Sequence, residues 1–182
     1  MKNKFIVSKI ISGGQTGADR GGLDAAIELC IPHGGWCPKG RKSEDGTIPA
    51  KYVLEEMNTA DYLRRTEQNV IDSDATVIFI FGQPSGGSKR TVDFCKKHGK
   101  PYRCLDLAFM DDNKAASKLL EFLENRRGGL LAMPGGELPS VPGNPVLNIA
   151  GSRESKAQGI QERVRKTLLT AFSGKVYPEG SE

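Results

Sequence analysis

The run ATVIFIF, residues 75–81, most constrains how this chain can fold. Only Thr76 interrupts its apolar character, and no polar–apolar alternation runs through it. A strand with one wetted face alternates with a period of two; a strand apolar on both faces is covered on both faces, as in a parallel sheet between helical layers. Four further short segments read as strands: KFIVSKIIS (4–12), IPHGGWC (31–37), PYRCLDL (101–107) and PVLNIAG (145–151). Each is β-branched or apolar and bounded by turn residues.

Helical spacing fills the intervals. Leu23, Ala26, Ile27 and Cys30 share one face of a helix whose start carries Thr16 and, three residues on, Asp19, the spacing of a capping box. Residues 59–72 resume the pattern through Tyr62, Leu63, Thr66, Val70 and Ile71. A helix is expected from about Thr91 to His98. Another covers 112–126, with Ala116, Leu119, Leu120 and Leu123 aligned. A last one follows a Ser155/Gln158 cap, with Ile160, Val164, Leu168 and Phe172 four residues apart. Strands alternating with helices predict an α/β, three-layer Rossmann-like domain: a mostly parallel sheet of five or more strands, helices on both faces, right-handed crossovers. The reading is one domain over 1–175, a Pro/Gly-rich loop at 127–144 of the length seen in lids and contact loops, and a frayed 176–182.

Composition narrows the function classes. A net charge of +4 over 182 residues, without a block of like charges, is not the signature of a nucleic-acid binder. The four cysteines lack CxxC spacing, and with only His33 and His98 beside them no metal site is expected. No leader pattern and no apolar run of membrane-spanning length are present, so the expectation is a soluble, cytoplasmic protein with reduced thiols and no membrane partner. The single tryptophan, Trp36, is expected in the core.

In an open parallel sheet, ligands sit beyond the carboxyl ends of the strands. The loops 12–20, 37–46, 82–91 and 151–155 all leave expected strands at that end. In the first, Gly13, Gly14 and Gly17 allow a tight turn, and the amides at Thr16 to Ala18 open a helix whose dipole favours an anion. A phosphate-bearing ligand is therefore expected. The Walker A pattern fails because no Lys follows Gly17. The dinucleotide pattern GxGxxG is nearly met by Ser12, Gly14 and Gly17, but serine replaces its first glycine. Where a ribose-binding acid is needed the chain offers Pro38, Lys39, Gly40 and Arg41, which disfavours NAD. A second glycine turn, Ser85-Gly86-Gly87, follows the buried strand, with Thr91 beyond it. Lys39, Arg41, Lys89 and Arg153 are expected at one rim.

Catalytic groups are sparse. His33 lies in a strand and His98 at a helix end. The candidate carboxylates are Asp19, Asp45, Asp93 and Glu154; Asp19 suits a cap, while Asp93 and Glu154 are the candidates for acid–base chemistry. No Ser/His/Asp or Cys/His order stands out. MPGGE (133–137) mimics a catalytic glycine motif but lacks a preceding strand in this reading and is set aside.

The segments SGGQTGADRGGLDAA, CIPHGGWCPKGRKSEDGTIPAKY, YLRRTEQNVIDSDATVIF, SGG followed by TVDF, and LNIAGSRESKAQGI together resemble the molybdenum carrier family. That family is similar to molybdenum cofactor carrier proteins and to the lysine-decarboxylase-like phosphoribohydrolases. The resemblance implies a Rossmann-like sheet and a homodimer or homotetramer. It also implies a ligand such as molybdenum cofactor, molybdate or a nucleotide derivative, with molybdoenzymes as possible recipients. It points to Gly13, Gly14, Gln15, Thr16, Gly17, Arg20, Lys39 and Arg41 in the first half, and to Ser85, Gly86, Gly87, Thr91 and Arg153 in the second. Thr66, Asn69, Asn148 and Glu154 are further positions. The phosphoribohydrolase pattern PGGxGTxxE departs here to a longer stretch from Ser85 to Thr91, ending in Asp93 rather than Glu. Three readings follow: a non-catalytic carrier, a hydrolase or transferase of nucleotide derivatives, and a nucleotide-sensing module.

Overall fold

The structure, a computed structural model, describes residues 7–127, 132–133, 136–137 and 144–173. In chain order the elements are β1 (Lys9–Ile11), α1 (Ala18–Glu28), β2 (His33–Gly34), β3 (Trp36–Cys37), β4 (Lys42–Ser43), β5 (Gly46–Thr47), β6 (Glu55–Glu56), α2 (Tyr62–Ile71), β7 (Ala75–Ile80), α3 (Gly86–Lys97), β8 (Tyr102–Asp106), α4 (Asp112–Arg127), β9 (Ala132–Met133), β10 (Gly136–Glu137), β11 (Val146–Gly151) and α5 (Ile160–Phe172). The central sheet has the order β2-β1-β11-β7-β8, and every pairing in it is parallel. The three-layer Rossmann-like architecture expected from the alternation is the one observed.

All six residues of β7 are buried, as the unbroken apolar run demands. The last strand in sequence, β11, lies in the centre, with Ile10 opposite Leu147 on one side and Ile149 opposite Val77 on the other. Helices α1, α5 and α4 pack in sequence against one another, and α2 packs on α3. Ile160, Val164, Leu168 and Phe172 all enter the core, confirming the four-residue spacing.

Several local expectations are corrected. The expected second strand splits at Gly35: His33–Gly34 joins the central sheet, while Trp36–Cys37 leaves it to pair with β6. Trp36 is half-buried rather than in the core; its Nε1 donates to Asp72 Oδ2 at 2.7 Å, and Asn69 clamps its backbone from both sides. Helix α3 begins at Gly86, not near Thr91, because Ser88 Oγ accepts the Ser85 N–H at 2.9 Å and starts the helix a turn and a half earlier. The Thr16/Asp19 capping box does not form. Helix α1 starts after Gly17 with no side-chain cap, Thr16 Oγ1 donates to Glu44, and Asp19 turns toward α2. The Ser155/Gln158 cap is also replaced: Glu154 accepts the N–H groups of Gly159 and, at 3.1 Å, Gln161, and so caps α5.

Most of the 127–144 segment lies outside the described residues; within it β9 and β10 pair antiparallel, so a two-residue strand does precede the glycines of MPGGE, themselves partly outside the described residues. No helix among the described residues is long and apolar enough to cross a membrane.

Candidate functional site

Strands β11 and β7 are neighbours, but β11 runs on to α5 and β7 to α3, which lie in different helical layers. The chain therefore parts beyond their carboxyl ends, the position at which open α/β sheets hold ligands. A cleft of about 570 Å³ opens there. Its floor is Gly13, Gln15 and residues 148–152 of β11 and its exit; its walls are α2 and the first turn of α3.

Arg65 reaches into this cleft from α2. It is 8% exposed, and its Nη1 lies 3.0 Å from Asp19 Oδ2. The guanidinium lies so close over Gly13 that a Cβ there would fall inside it, which is why glycine stands at that position. Asp19 also accepts the Gln15 N–H at 3.2 Å. Burial pushes the Asp19 carboxyl above its ordinary range, against the opposing pull of Arg65 and of the Gln15 amide. Two buried donors at this point have no partner among the described residues: Arg65 Nε and Gln15 Nε2. Gln15, 5% exposed, cannot satisfy its NH₂ by flipping. Its Oε1 already accepts the N–H groups of Thr16 at 3.0 Å and Glu44 at 2.9 Å. A buried donor left unpaired costs about 1–3 kcal/mol, so two in one cleft mark a place shaped for acceptor oxygens.

The cleft's other charges are of one sign. Arg65, Arg90, Arg153 and Lys156 line it, and Asp19, ion-paired to Arg65, is the one carboxylate among the described lining residues. The N–H groups of Gly86 and Gly87 open α3, where no intrahelical carbonyl can reach them, and a Cβ on either residue would meet nothing within 4 Å. Gly86 and Gly87 line the cleft, so the positive end of the α3 dipole stands at its wall. Tyr62 adds an aromatic face at the mouth, with the Arg153 guanidinium 5.6 Å from its ring centre.

The sequence-derived residues divide clearly. Gly13, Gln15, Ser85, Gly86, Gly87, Thr91 and Arg153 line the cleft, as do Thr66, Asn69 and Asn148. Gly14, Thr16 and Gly17 lie behind the lining, and the expected anion seat on the α1 amides is closed. Thr16 N–H donates to Gln15 Oε1 and Ala18 N–H to the Ser152 carbonyl at 3.0 Å, while a Cβ on Gly17 would strike that same carbonyl oxygen. Arg20 is turned away into a two-pronged pair with Asp45, at 2.6 and 2.8 Å. Arg41 donates to four backbone carbonyls of residues 48–54 and braces that loop. Lys39 and Lys89 are exposed and outside the lining, so the expected rim of four cations is not assembled; of those four only Arg153 is there. Asp93 is exposed on α3 outside the lining, and Glu154 is engaged in capping α5. His33 accepts the Val53 N–H and His98 pairs with Glu67, both away from the cleft.

Sequence reasoning missed Arg65, Tyr62, Arg90 and Lys156. The signal for the α2 pair was present: Tyr62, Arg65, Thr66 and Asn69 recur at the spacing of one helix face, a polar stripe on the side turned inward.

A family model described as the circularly permutated YpsA SLOG family matches residues 10–172. The chain belongs to this SLOG family. A solved structure aligns with it at a TM-score of 0.79 and 40% identity, covering 92% of this chain and 96% of the other: the crystal structure of a protein named "Putative molybdenum carrier protein" from Syntrophus aciditrophicus SB. No curated protein matches. In this SLOG-family member the cleft supplies hydrogen-bond donors and positive charge, and Asp19, the one carboxylate among its described lining residues, is ion-paired. Such a set is suited to gripping an oxyanion.

Proposed function

We propose that this cleft binds and carries a small molecule bearing phosphate or other oxyanion groups, with molybdenum cofactor or a related phosphorylated pterin or nucleotide as the cargo. The observation that carries this reading is a cleft lined by Arg65, Arg90, Arg153 and Lys156, in which two of the lining side chains, Gln15 and Arg65, each keep a buried donor, Nε2 and Nε, without a partner among the described residues. The Gly86 and Gly87 amides suit a terminal phosphate, Arg90 and Arg153 its remaining charge, and the Tyr62 ring a planar heterocycle. The printed name of the 40%-identical neighbour supports molybdenum cofactor as the cargo to test first. The two carboxylates considered for acid–base work lie elsewhere, Asp93 outside the lining and Glu154 capping α5, and Asp19 is paired with Arg65.

Native mass spectrometry of the protein purified from its own cells is expected to show a bound phosphorylated heterocycle. Calorimetric titration with molybdate, adenosine monophosphate and inorganic phosphate then grades the groups that matter. Arg90→Ala and Arg153→Ala are each expected to weaken the tightest of these about tenfold, near 1.4 kcal/mol, and added salt to weaken it further. A bare native mass together with no heat from any of the three ligands would overturn the reading.

A further inference from the structure

Beside the cleft, one carboxylate of the chain occupies a set of donors that it does not need in order to stay in place. Glu44 sits at the turn of the β4–β5 hairpin. Its Oε1 accepts from the Thr16 hydroxyl and, at 3.2 Å, from the Ser155 N–H; its Oε2 accepts from Ser155 Oγ at 2.7 Å. Arg153 Nη1 stands 3.9 Å from the same Oε2. All four donors belong to the exits of β1 and β11, the strands beneath the cleft, and Ser155 and Arg153 also line it.

The hairpin is anchored without Glu44. Arg20 holds Asp45 with two hydrogen bonds, and Ser43 Oγ donates to Asp45 at 2.6 Å. Glu44's own N–H is held by Gln15 Oε1, and Gln15 is one of the residues that line the cleft. The Glu44 side chain is 21% exposed, so water reaches the carboxylate.

We propose that Glu44 fills, in the free protein, a second oxyanion subsite of the cleft, formed by Thr16, Ser155 and Arg153, and that an anionic group of the ligand displaces it. Two oxygens of a phosphate can take the hydrogen bonds now made by the two oxygens of the carboxylate. Displacement also frees Arg153 from its 3.9 Å contact, to close on the incoming charge. The inference rests on the reading of the cleft as an anion site and sharpens it. The favoured ligand has two separated anionic groups, one at the Gly86–Gly87 amides and one at Ser155, in place of a lone monophosphate.

Equilibrium dialysis against radiolabelled inorganic phosphate tests this on the full chain. The wild type is expected to take up phosphate at the α3 site only. Glu44→Ala is expected to gain a second bound phosphate per chain, and Glu44→Ala combined with Ser155→Ala to lose that gain. Glu44→Gln preserves the shape of the hairpin tip while removing the competing charge. It is expected to show the same gain and decides the matter if the alanine variant unfolds. Uptake by the wild type that neither Glu44 variant changes overturns the subsite and leaves the cleft reading standing. Absence of uptake in the wild type and in both variants overturns the two together. Uptake only in the Glu44 variants supports the subsite and moves the anion seat away from α3.

Discussion

At the scale of single residues, the site is a glycine making room for an arginine. Gly13 exists so that the Arg65 guanidinium can lie on the end of β1 and meet Asp19. Gly13→Ala puts a methyl where the guanidinium is, and a buried ion pair with one partner expelled leaves the other charge uncompensated. The expected loss is about 3 kcal/mol or more, read as a lower urea midpoint, with ligand binding lost in parallel. The glycines that shape both loops were legible in the sequence, because a glycine-rich turn after an apolar strand has few other uses. Arg65 was passed over although it recurs with Tyr62, Thr66 and Asn69 on one helix face, because a helix is read first by its apolar positions, here Val70, while the face that lines the cleft is polar. Arg20 and Arg41 show the converse error. Charge in a loop reads as a ligand contact, but each of these arginines is turned onto the chain's own carbonyls or carboxylate. The cysteines behave as buried structural thiols where they are enclosed, with burial pushing Cys95 up to about 11.

At the scale of elements, the β4–β5 hairpin is the piece whose attachment depends on ionisation. Hydrogen bonds from Arg20, then Ser43, hold the Asp45 carboxyl down at about 2 from its ordinary 3.8. Burial would raise Glu44, yet the hydrogen bonds of Ser155 and Thr16 and the charge of Arg153 carry it below its ordinary 4.5. Both folded-state values are depressed, so both groups contribute stability that is complete above the ordinary carboxylate range and is lost as the pH falls toward 2. Asp45 is about half exposed, and solvent screening keeps its share to about 1 kcal/mol or less. Amide hydrogen exchange at residues 42–47, corrected for intrinsic rates, is expected to show protection falling up to about fivefold between pH 5 and pH 2.5. Asp45→Asn should flatten that dependence. None of this attachment shows in the sequence, where residues 38–52 read as a long polar loop. Its partners, Thr16, Arg20 and Ser155, lie 23 or more positions away, and a two-residue strand leaves no periodicity to read.

At the scale of the whole molecule, strand and helix alternation sufficed to anticipate the layers but not the order of the strands. Alternation is a local property, carried by residues such as Val77 and Phe79 on one side and Leu119 and Leu123 on the other. Strand order is set by which edges meet, and β11 meets β1 across a separation of 137 positions, Lys9 opposite Val146. That late strand is what makes the sheet continuous. Among the described residues, strand β1 pairs only with β2 and β11, and β7 only with β11 and β8. Without β11 the molecule is two separate strand pairs, each with an uncovered edge, and α1 loses Ile149, which packs directly beneath Gly22. Helix α5, which follows β11 and fills the space between α1 and α4, is lost with it. A chain ended at residue 126 therefore keeps four of the five central strands and four of the five described helices, yet the pieces have no shared core. It is expected to show no cooperative thermal transition by circular dichroism, where the full chain shows one, and to bind the hydrophobic dye that reports exposed apolar surface. A cooperative transition in that shortened chain would mean that β1 and β7 can pair directly, and that β11 enters a sheet already formed rather than creating it.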